Sequence, residues 1–163
     1  MWNFGHYDGW DCGPEGNFWG QHTMGCLPKE VADACDGKLA FVSMTCSDGR
    51  RLTKKFCDGR DVIVLSERIV PQAGLSEAAA AVRYFMFVIM HEIAHAYREH
   101  RPPNEISPEE NEAQEQEANA LAFQWMNDAI RSRQSPHLHE FTQEELEGIQ
   151  AQTRAAMEAA RGR

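Results

Sequence analysis

Two histidines and a glutamate lie in the run His91-Glu92-Ile93-Ala94-His95, which follows a long apolar segment. On a helix, residues four apart lie about 40° apart around the axis, so both imidazoles point to the same side. They can bind one Zn²⁺, and the carboxylate of Glu92 can take a proton from a water molecule at the metal. The pattern predicts a hydrolytic metal site, most often that of a zinc peptidase. Such a site needs a third protein ligand.

The third ligand is expected on the helix that begins after Ser107. This helix carries five candidate glutamates: Glu109, Glu110, Glu112, Glu115 and Glu117. Its apolar stripe runs through Ala118, Leu121, Ala122, Trp125 and Met126 with helical spacing. Extended backwards, the stripe reaches Glu115, so this carboxylate faces the core, where Zn²⁺ would neutralise it. Glu115 is the first choice, and Glu112 and Glu117 rank behind it.

Three residues near these candidates receive further interpretations. Asn119 lies four residues after Glu115 on the same side of the helix, where it is expected to hydrogen-bond a ligating imidazole and fix its tautomer. Glu117 lies about 100° away from Ala118 and is expected in solvent. His100 follows His95 by five residues, about 140° around a continuous helix, so it is expected to point away from the metal.

The two motifs together resemble the ImmA/IrrE family of zinc metallopeptidases. The similarity covers about residues 60 to 128, with the H-E-x-x-H run followed by Glu115-Gln116-Glu117-Ala118-Asn119. The family belongs to the gluzincins, which bind zinc through two histidines and a glutamate, and the resemblance implies that Glu115 is that glutamate. It also implies a protein substrate. Other gluzincins are near neighbours, and the first 60 residues do not match the family pattern.

Two other functional interpretations compete with a zinc peptidase. The metal could stabilise a non-catalytic binding or regulatory module, but a purely structural zinc is closed by a fourth protein ligand, and Glu92 suits catalysis. Alternatively, the H-E-x-x-H run could be a chance pattern on a packed helix. In the peptidase, the strand Val62–Leu65 is expected to bind substrate by pairing with it as an edge strand.

The elements that position these residues indicate one α+β domain over residues 1–163. Residues 1–34 are expected to form a loop-rich arm with many Cys and Trp residues, ending in a short helix at Lys29–Ala34. In residues 35–70, a cysteine and an Asp-Gly turn recur every 11 residues. They predict a three-stranded antiparallel meander whose strands are Leu39–Thr45, Leu52–Phe56 and Val62–Leu65.

Residues 71–163 are predicted to be helical and to hold the zinc site. A buried helix should run from about Ala78 to His100, because its middle is apolar on every side. Ser107 and Glu110 predict a capped second helix that ends near Ser132. A third helix should begin at Thr142, with Glu145 completing its capping box.

Composition limits the partners. The chain has 163 residues and a formal charge of −9, from 25 acidic and 16 basic residues. Nucleic acid is therefore disfavoured, because binding it depends on clustered Lys and Arg. The longest apolar stretch, from Ala78 to Met90, is interrupted by Arg83 and is shorter than the ~20 residues that a membrane span needs.

The cysteines bear on localisation. The first residues show no secretory signal, which favours a cytoplasmic protein with reduced thiols. A leader removed from the mature chain would instead allow a secreted protein with two disulfides. The five cysteines all lie in the first third of the chain: Cys12, Cys26, Cys35, Cys46 and Cys57. None of them forms a C-x-x-C pair, so a second, cysteine-based zinc site is not expected.

Overall fold

A mixed β-sheet packs against helices in the computed structural model, which describes residues 10–44, 49–56, 60–71, 78–134 and 138–161. The strands are β1 (Trp10–Asp11), β2 (Leu39–Met44), β3 (Gly49–Phe56) and β4 (Arg60–Ser66). The helices are α1 (Gly13–Gly25), α2 (Lys29–Cys35), α3 (Ala78–Tyr97), α4 (Pro108–Arg131) and α5 (Gln143–Arg161), with a 3-10 turn at Pro103–Glu105. This arrangement confirms the α+β class.

The order of the strands is β1-β2-β4-β3, so the predicted antiparallel meander is wrong. Strand β2 runs parallel to β4, with Phe41 opposite Ile63, and only β3 is antiparallel to β4. The reason lies in β4, whose residues Val62–Leu65 are all buried and therefore need cover on both faces of the sheet. Strand β3 contains two Arg and two Lys residues, a composition typical of an edge strand.

Only one of the predicted Asp-Gly turns can be compared with the structure. Asp36-Gly37 does turn the chain, with Gly37 at a φ of 66° and the Lys38 N–H bonded to the Cys35 carbonyl at 3.0 Å. It joins α2 to β2 rather than two strands of a hairpin. The other two pairs involve residues 45–48 and 57–59, which lie outside the described part of the chain.

The N-terminal arm is helical in its described part, which corrects the expected loop. Helix α1 turns Gly16, Gly20 and Thr23 towards the core. A Cβ atom at Gly16 would lie 2.7 Å from the Cys12 Cβ and 3.1 Å from a Val70 methyl carbon, so only glycine allows this approach. The buried face consists of small residues, so no apolar period marked the helix. The short helix expected at Lys29–Ala34 is present as α2.

Helix α3 forms the centre of the core, as predicted. Several of its side chains are fully buried: Phe85, Met86, Ile89, Met90 and Ile93. Arg83 interrupts this apolar helix without a buried unpaired charge, because its guanidinium pairs with Glu145 and lies 4.3 Å from the centre of the Phe141 ring. The same guanidinium donates to the carbonyl of His139 at 3.1 Å. Arg83 therefore fixes the start of α5 against α3.

Helices α4 and α5 begin where their capping residues predict. The Ser107 hydroxyl accepts the Glu110 N–H at 3.1 Å. Thr142 and Glu145 cap each other, since the Thr142 hydroxyl accepts the Glu145 N–H at 3.1 Å and the Glu145 carboxylate accepts the Thr142 N–H at 2.8 Å. These bonds satisfy backbone donors that the first helical turn leaves unpaired.

Cys12 and Cys35 are buried and form no disulfide, whereas Cys46 and Cys57 fall outside the described side chains. Burial raises the pKa of the Cys12 thiol to about 12 and also raises that of Cys35.

In the described residues, no helix has the length and apolar character needed to cross a membrane.

Candidate metal centre

The packing of α3 against α4 brings His91, His95 and Glu115 together. Nε2 of His91 lies 3.1 Å from Nε2 of His95 and 3.4 Å from Oε2 of Glu115. Nε2 of His95 lies 3.6 Å from Oε1 of Glu115. Two successive turns of α3 and one turn of α4 thus bring two imidazole nitrogens and one carboxylate group into a single cluster, which the sequence predicted for these residues.

These separations fit a tetrahedral zinc ion. Ligand atoms about 2.0–2.1 Å from zinc, at tetrahedral angles, lie about 3.3 Å from one another. The three observed separations of 3.1, 3.4 and 3.6 Å scatter around that value. Two imidazole nitrogens and one carboxylate oxygen are also a donor set that catalytic zinc sites use. The residues present therefore fit zinc.

The three side chains of the cluster shift one another's pKa values. Burial alone would raise the pKa of Glu115, but hydrogen bonds and charges from His91 and His95 lower it well below its usual range. Burial opposes a charge on both rings and lowers the pKa of His95, where the nearby His91 and His100 rings add to the effect. For His91, however, Glu115, Glu92 and Asn119 together outweigh burial and raise the pKa. Glu115 is therefore ionised beside the two imidazoles, and an ionised carboxylate is the form that can bind a metal.

Glu92 and Asn119 are buried, and both influence the ring of His91. Glu92 follows His91 on α3, and its side chain is buried. Asn119 lies one turn after Glu115 on α4 and is also buried. Within the described residues, neither Nδ2 of Asn119 nor Nδ1 of His91 has a hydrogen-bond partner at normal distance and angle. The second-layer role expected of Asn119 therefore stays a prediction.

His100 and Glu117 lie closer to the candidate metal centre than their helical spacing predicted. Nδ1 of His100 is 2.9 Å from Nδ1 of His95, and Nε2 of His100 is 2.9 Å from Oε2 of Glu117. The expectation failed because α3 ends at Tyr97, so the angular spacing of a continuous helix does not apply to His100. Glu117 is partly in solvent, as expected, but His100 and Arg98 hold its carboxylate. The prolines at 102 and 103 were the one sequence signal that the helix must end nearby.

The strand expected to bind substrate has no free edge. Strand β4, which contains Val62–Leu65, pairs with β2 on one side and with β3 on the other. In the described sheet the edge beside β4 is β3, which also contacts α3. Substrate pairing with β4 is therefore ruled out by the sheet order.

Comparison with known proteins gives one match. The family model described as Peptidase_M78, IrrE N-terminal-like domain, matches residues 49–161. The matched region begins at β3 and contains α3, α4 and α5, with all three candidate ligands. No curated protein and no solved structure matches the chain.

Proposed function

Because the chain belongs to the M78 (ImmA/IrrE) peptidase family, we propose that it is a zinc-dependent metallopeptidase that hydrolyses peptide bonds in a protein or peptide substrate. The observation that carries the proposal is the cluster formed by Nε2 of His91, Nε2 of His95 and the two carboxylate oxygens of Glu115, one of which lies near each ring. Its interatomic distances suit one zinc ion bound by three protein ligands, the number that catalytic zinc sites use.

The residues of the centre take separate roles in this proposal. His91, His95 and Glu115 would hold the metal, and Asn119 would orient the ring of His91 from the second layer. A bound zinc ion would supply Lewis acidity, which polarises a peptide carbonyl and lowers the pKa of a water molecule to about 7. The side chains of the protein must then position the substrate and move the protons.

Glu92 is the proposed proton carrier. Its carboxylate would accept a proton from the attacking water and deliver it to the nitrogen of the leaving amine. Its place on α3 supports this role, since the residue is buried and adjacent to His91. Burial also keeps bulk water away, so the proton would pass to the leaving group rather than to solvent.

Strand β3 is the proposed docking edge for substrate. It is an edge strand beside β4, and it contacts α3, the helix that carries both histidines. An extended peptide can add to such an edge through main-chain hydrogen bonds, which are largely independent of sequence. The peptide would then lie along the sheet near the metal centre.

A zinc-stabilised, non-catalytic binding module is the competing function. Such a module would not need a buried carboxylate next to its ligands, whereas Glu92 occupies that position. A closed structural zinc site also has four protein ligands, whereas the group formed by the described residues has three. The peptidase is therefore the function that the geometry supports best.

Replacing Glu92 with Gln separates the two functions. We expect Glu92→Gln to retain about one zinc per chain and to lose at least about 100-fold in cleavage rate, because general acid–base catalysis contributes about that much or more. Unfolded protein and a broad peptide library serve as substrates. Glu144→Gln, the same change at an exposed position in the first turn of α5, is the matched control and should keep both zinc and activity. Zinc binding without turnover in the wild type would favour the binding module.

A further inference from the structure

We propose that His100 and Glu117 are positioning residues that hold the imidazole of His95 in the orientation and tautomer required for zinc binding. The inference rests on the proposed zinc site. Nδ1 of His100 lies 2.9 Å from Nδ1 of His95, and Nε2 of His100 lies 2.9 Å from Oε2 of Glu117. Oε1 of Glu117 in turn lies 2.6 Å from Nη2 of Arg98. The four side chains form one continuous chain of polar contacts that starts at a metal ligand.

A single arrangement of protons satisfies every contact in that chain. Nε2 of His95 faces His91 and Glu115, so it must be unprotonated to bind a metal. Nδ1 of a neutral His95 then carries the hydrogen and donates it to Nδ1 of His100. His100 must carry its own hydrogen on Nε2, from which it donates to the Glu117 carboxylate. Because a carboxylate is an acceptor only, Glu117 fixes the direction of the whole chain.

The backbone after α3 is built to deliver His100 to this place. Glu99 adopts a φ of 53°, in the left-handed region that glycine or asparagine usually occupies at a helix end. The His100 N–H donates to the His95 carbonyl at 2.9 Å, and the Glu99 N–H donates to the Ala96 carbonyl at 3.2 Å. This is the Schellman pattern, in which the second residue after the cap folds back onto the last helical turn.

Side-chain packing supports a role beyond capping. In a Schellman motif, the contact between those two positions is usually hydrophobic. Here it is polar, with the rings of His95 and His100 edge to face and their centres 4.9 Å apart. His100 is 7% exposed, so its hydrogen bonds replace solvent contacts that it has lost. A buried polar ring at this position is costly unless both nitrogens are satisfied, and the two contacts satisfy them.

Two variants of His100 test the proposal through zinc affinity. The affinity is measured by letting the purified protein compete with a chelator for Zn²⁺, with no substrate present. His100→Phe keeps a buried ring and the backbone turn but removes both hydrogen bonds. His100→Gln can accept from His95 with its amide oxygen and donate to Glu117 with its nitrogen. Loss of such outer partners weakens metal binding by about 10–100-fold. We therefore expect His100→Phe to bind zinc at least about 10-fold more weakly than the wild type, and His100→Gln to remain within about threefold.

The ratio of the zinc Kd values of these two variants decides the outcome. A zinc Kd at least about threefold larger for His100→Phe than for His100→Gln supports positioning through hydrogen bonds, because both variants keep the backbone bonds of the cap. A smaller ratio overturns it. If His100→Phe does not fold, the zinc Kd of Glu117→Ala is compared with that of Glu110→Ala instead. Glu110→Ala is the control, because it removes an exposed glutamate from the same helix. A Kd at least about threefold larger for Glu117→Ala supports the proposal, and a smaller difference overturns it.

The same measurements distinguish this inference from the zinc site itself. A wild-type protein that binds no stoichiometric zinc contradicts the proposed function and, with it, the positioning role. A wild-type protein that binds zinc tightly, with equal Kd values for the Phe and Gln variants, contradicts the positioning role alone.

Discussion

Glu115 and Glu117 lie two residues apart on α4 but meet different surroundings. The Glu115 carboxylate lies between two imidazoles of α3, in a site where burial would otherwise favour its neutral form. The Glu117 side chain is 41% exposed, and its hydrogen bond with His100 is the main cause that lowers its pKa. One carboxylate therefore lies between His91 and His95, and the other contacts His100 on the far side of His95. Both glutamates of the E-x-E pattern serve the same centre.

Cys12 provides a prediction at the residue scale. Its pKa of about 12 means that only about one thiol in ten thousand is ionised at pH 8, and the thiolate is the reactive form. We expect iodoacetamide at pH 8 to modify Cys12 at least about 100-fold more slowly in the native protein than in denaturant. Peptide mass spectrometry after timed quenching measures this for Cys12 alone.

The direction of the pH effect provides a control for that experiment. Because the folded-state pKa of Cys12 is raised, the native rate should increase with pH at least up to about pH 10, well below that pKa. Equal rates in native and denatured protein would show that Cys12 is not buried in the native fold, which would contradict the structure.

At the scale of elements, local signals predicted the helices better than the sheet. Ser107, Thr142 and Glu145 mark helix starts because their caps involve residues only three positions apart. The position of β4 between β2 and β3 depends on pairing with distant residues, and the turn pattern carries no information about it. Helix α1 was missed because Gly16 and Gly20 form its buried face, and glycine gives no hydrophobic period.

The metal centre shows the same division between local and distant information. The spacing of His91 and His95 and the stripe that reaches Glu115 follow from helix geometry, so both could be predicted. The contact of His100 with His95 depends on the end of α3 and on the left-handed backbone at Glu99. Glutamate rarely adopts that conformation, so no residue type marked the turn.

Asn127 provides a prediction for the junction of α4 and α5. Its buried amide donates to the Phe141 carbonyl at 2.9 Å and accepts the Phe141 N–H at 2.8 Å. We expect Asn127→Ala to lower the free energy of unfolding by about 2–4 kcal/mol, because two buried backbone groups lose their partners. Urea denaturation followed by circular dichroism measures the change.

Ser107→Ala is the matched comparison for Asn127→Ala. It removes one exposed cap bond from the start of α4 and should cost about 1 kcal/mol. If the two variants lose the same stability, the buried clamp on Phe141 contributes no more than an ordinary helix cap, which would contradict the prediction.

At the scale of the whole molecule, the family match covers a shorter part of the chain than the folded unit does. The match begins at residue 49, whereas the core also includes earlier residues. Seven of them come from the segment before residue 49, which holds α1, α2 and β2: Cys12, Cys26, Leu27, Val31, Cys35, Leu39 and Phe41. They pack in one cluster with α3, so the segment outside the match supports the helix that carries His91 and His95. The N-terminal elements are therefore part of the scaffold of the candidate metal centre.

Zinc should stabilise this whole unit, because its ligands come from two helices that separate on unfolding. Ligand that binds only the folded state, at 100 times its Kd, adds about 2.7 kcal/mol to the free energy of unfolding. For a domain of this size, that corresponds to a rise in Tm of about 5–10 °C. Differential scanning calorimetry of chelator-treated protein, with and without added zinc, measures the shift. His91→Ala lacks one ligand and should show less than a third of it. An equal shift in both proteins would place the stabilising zinc elsewhere, for example on cysteine thiols, and would contradict the site on α3 and α4.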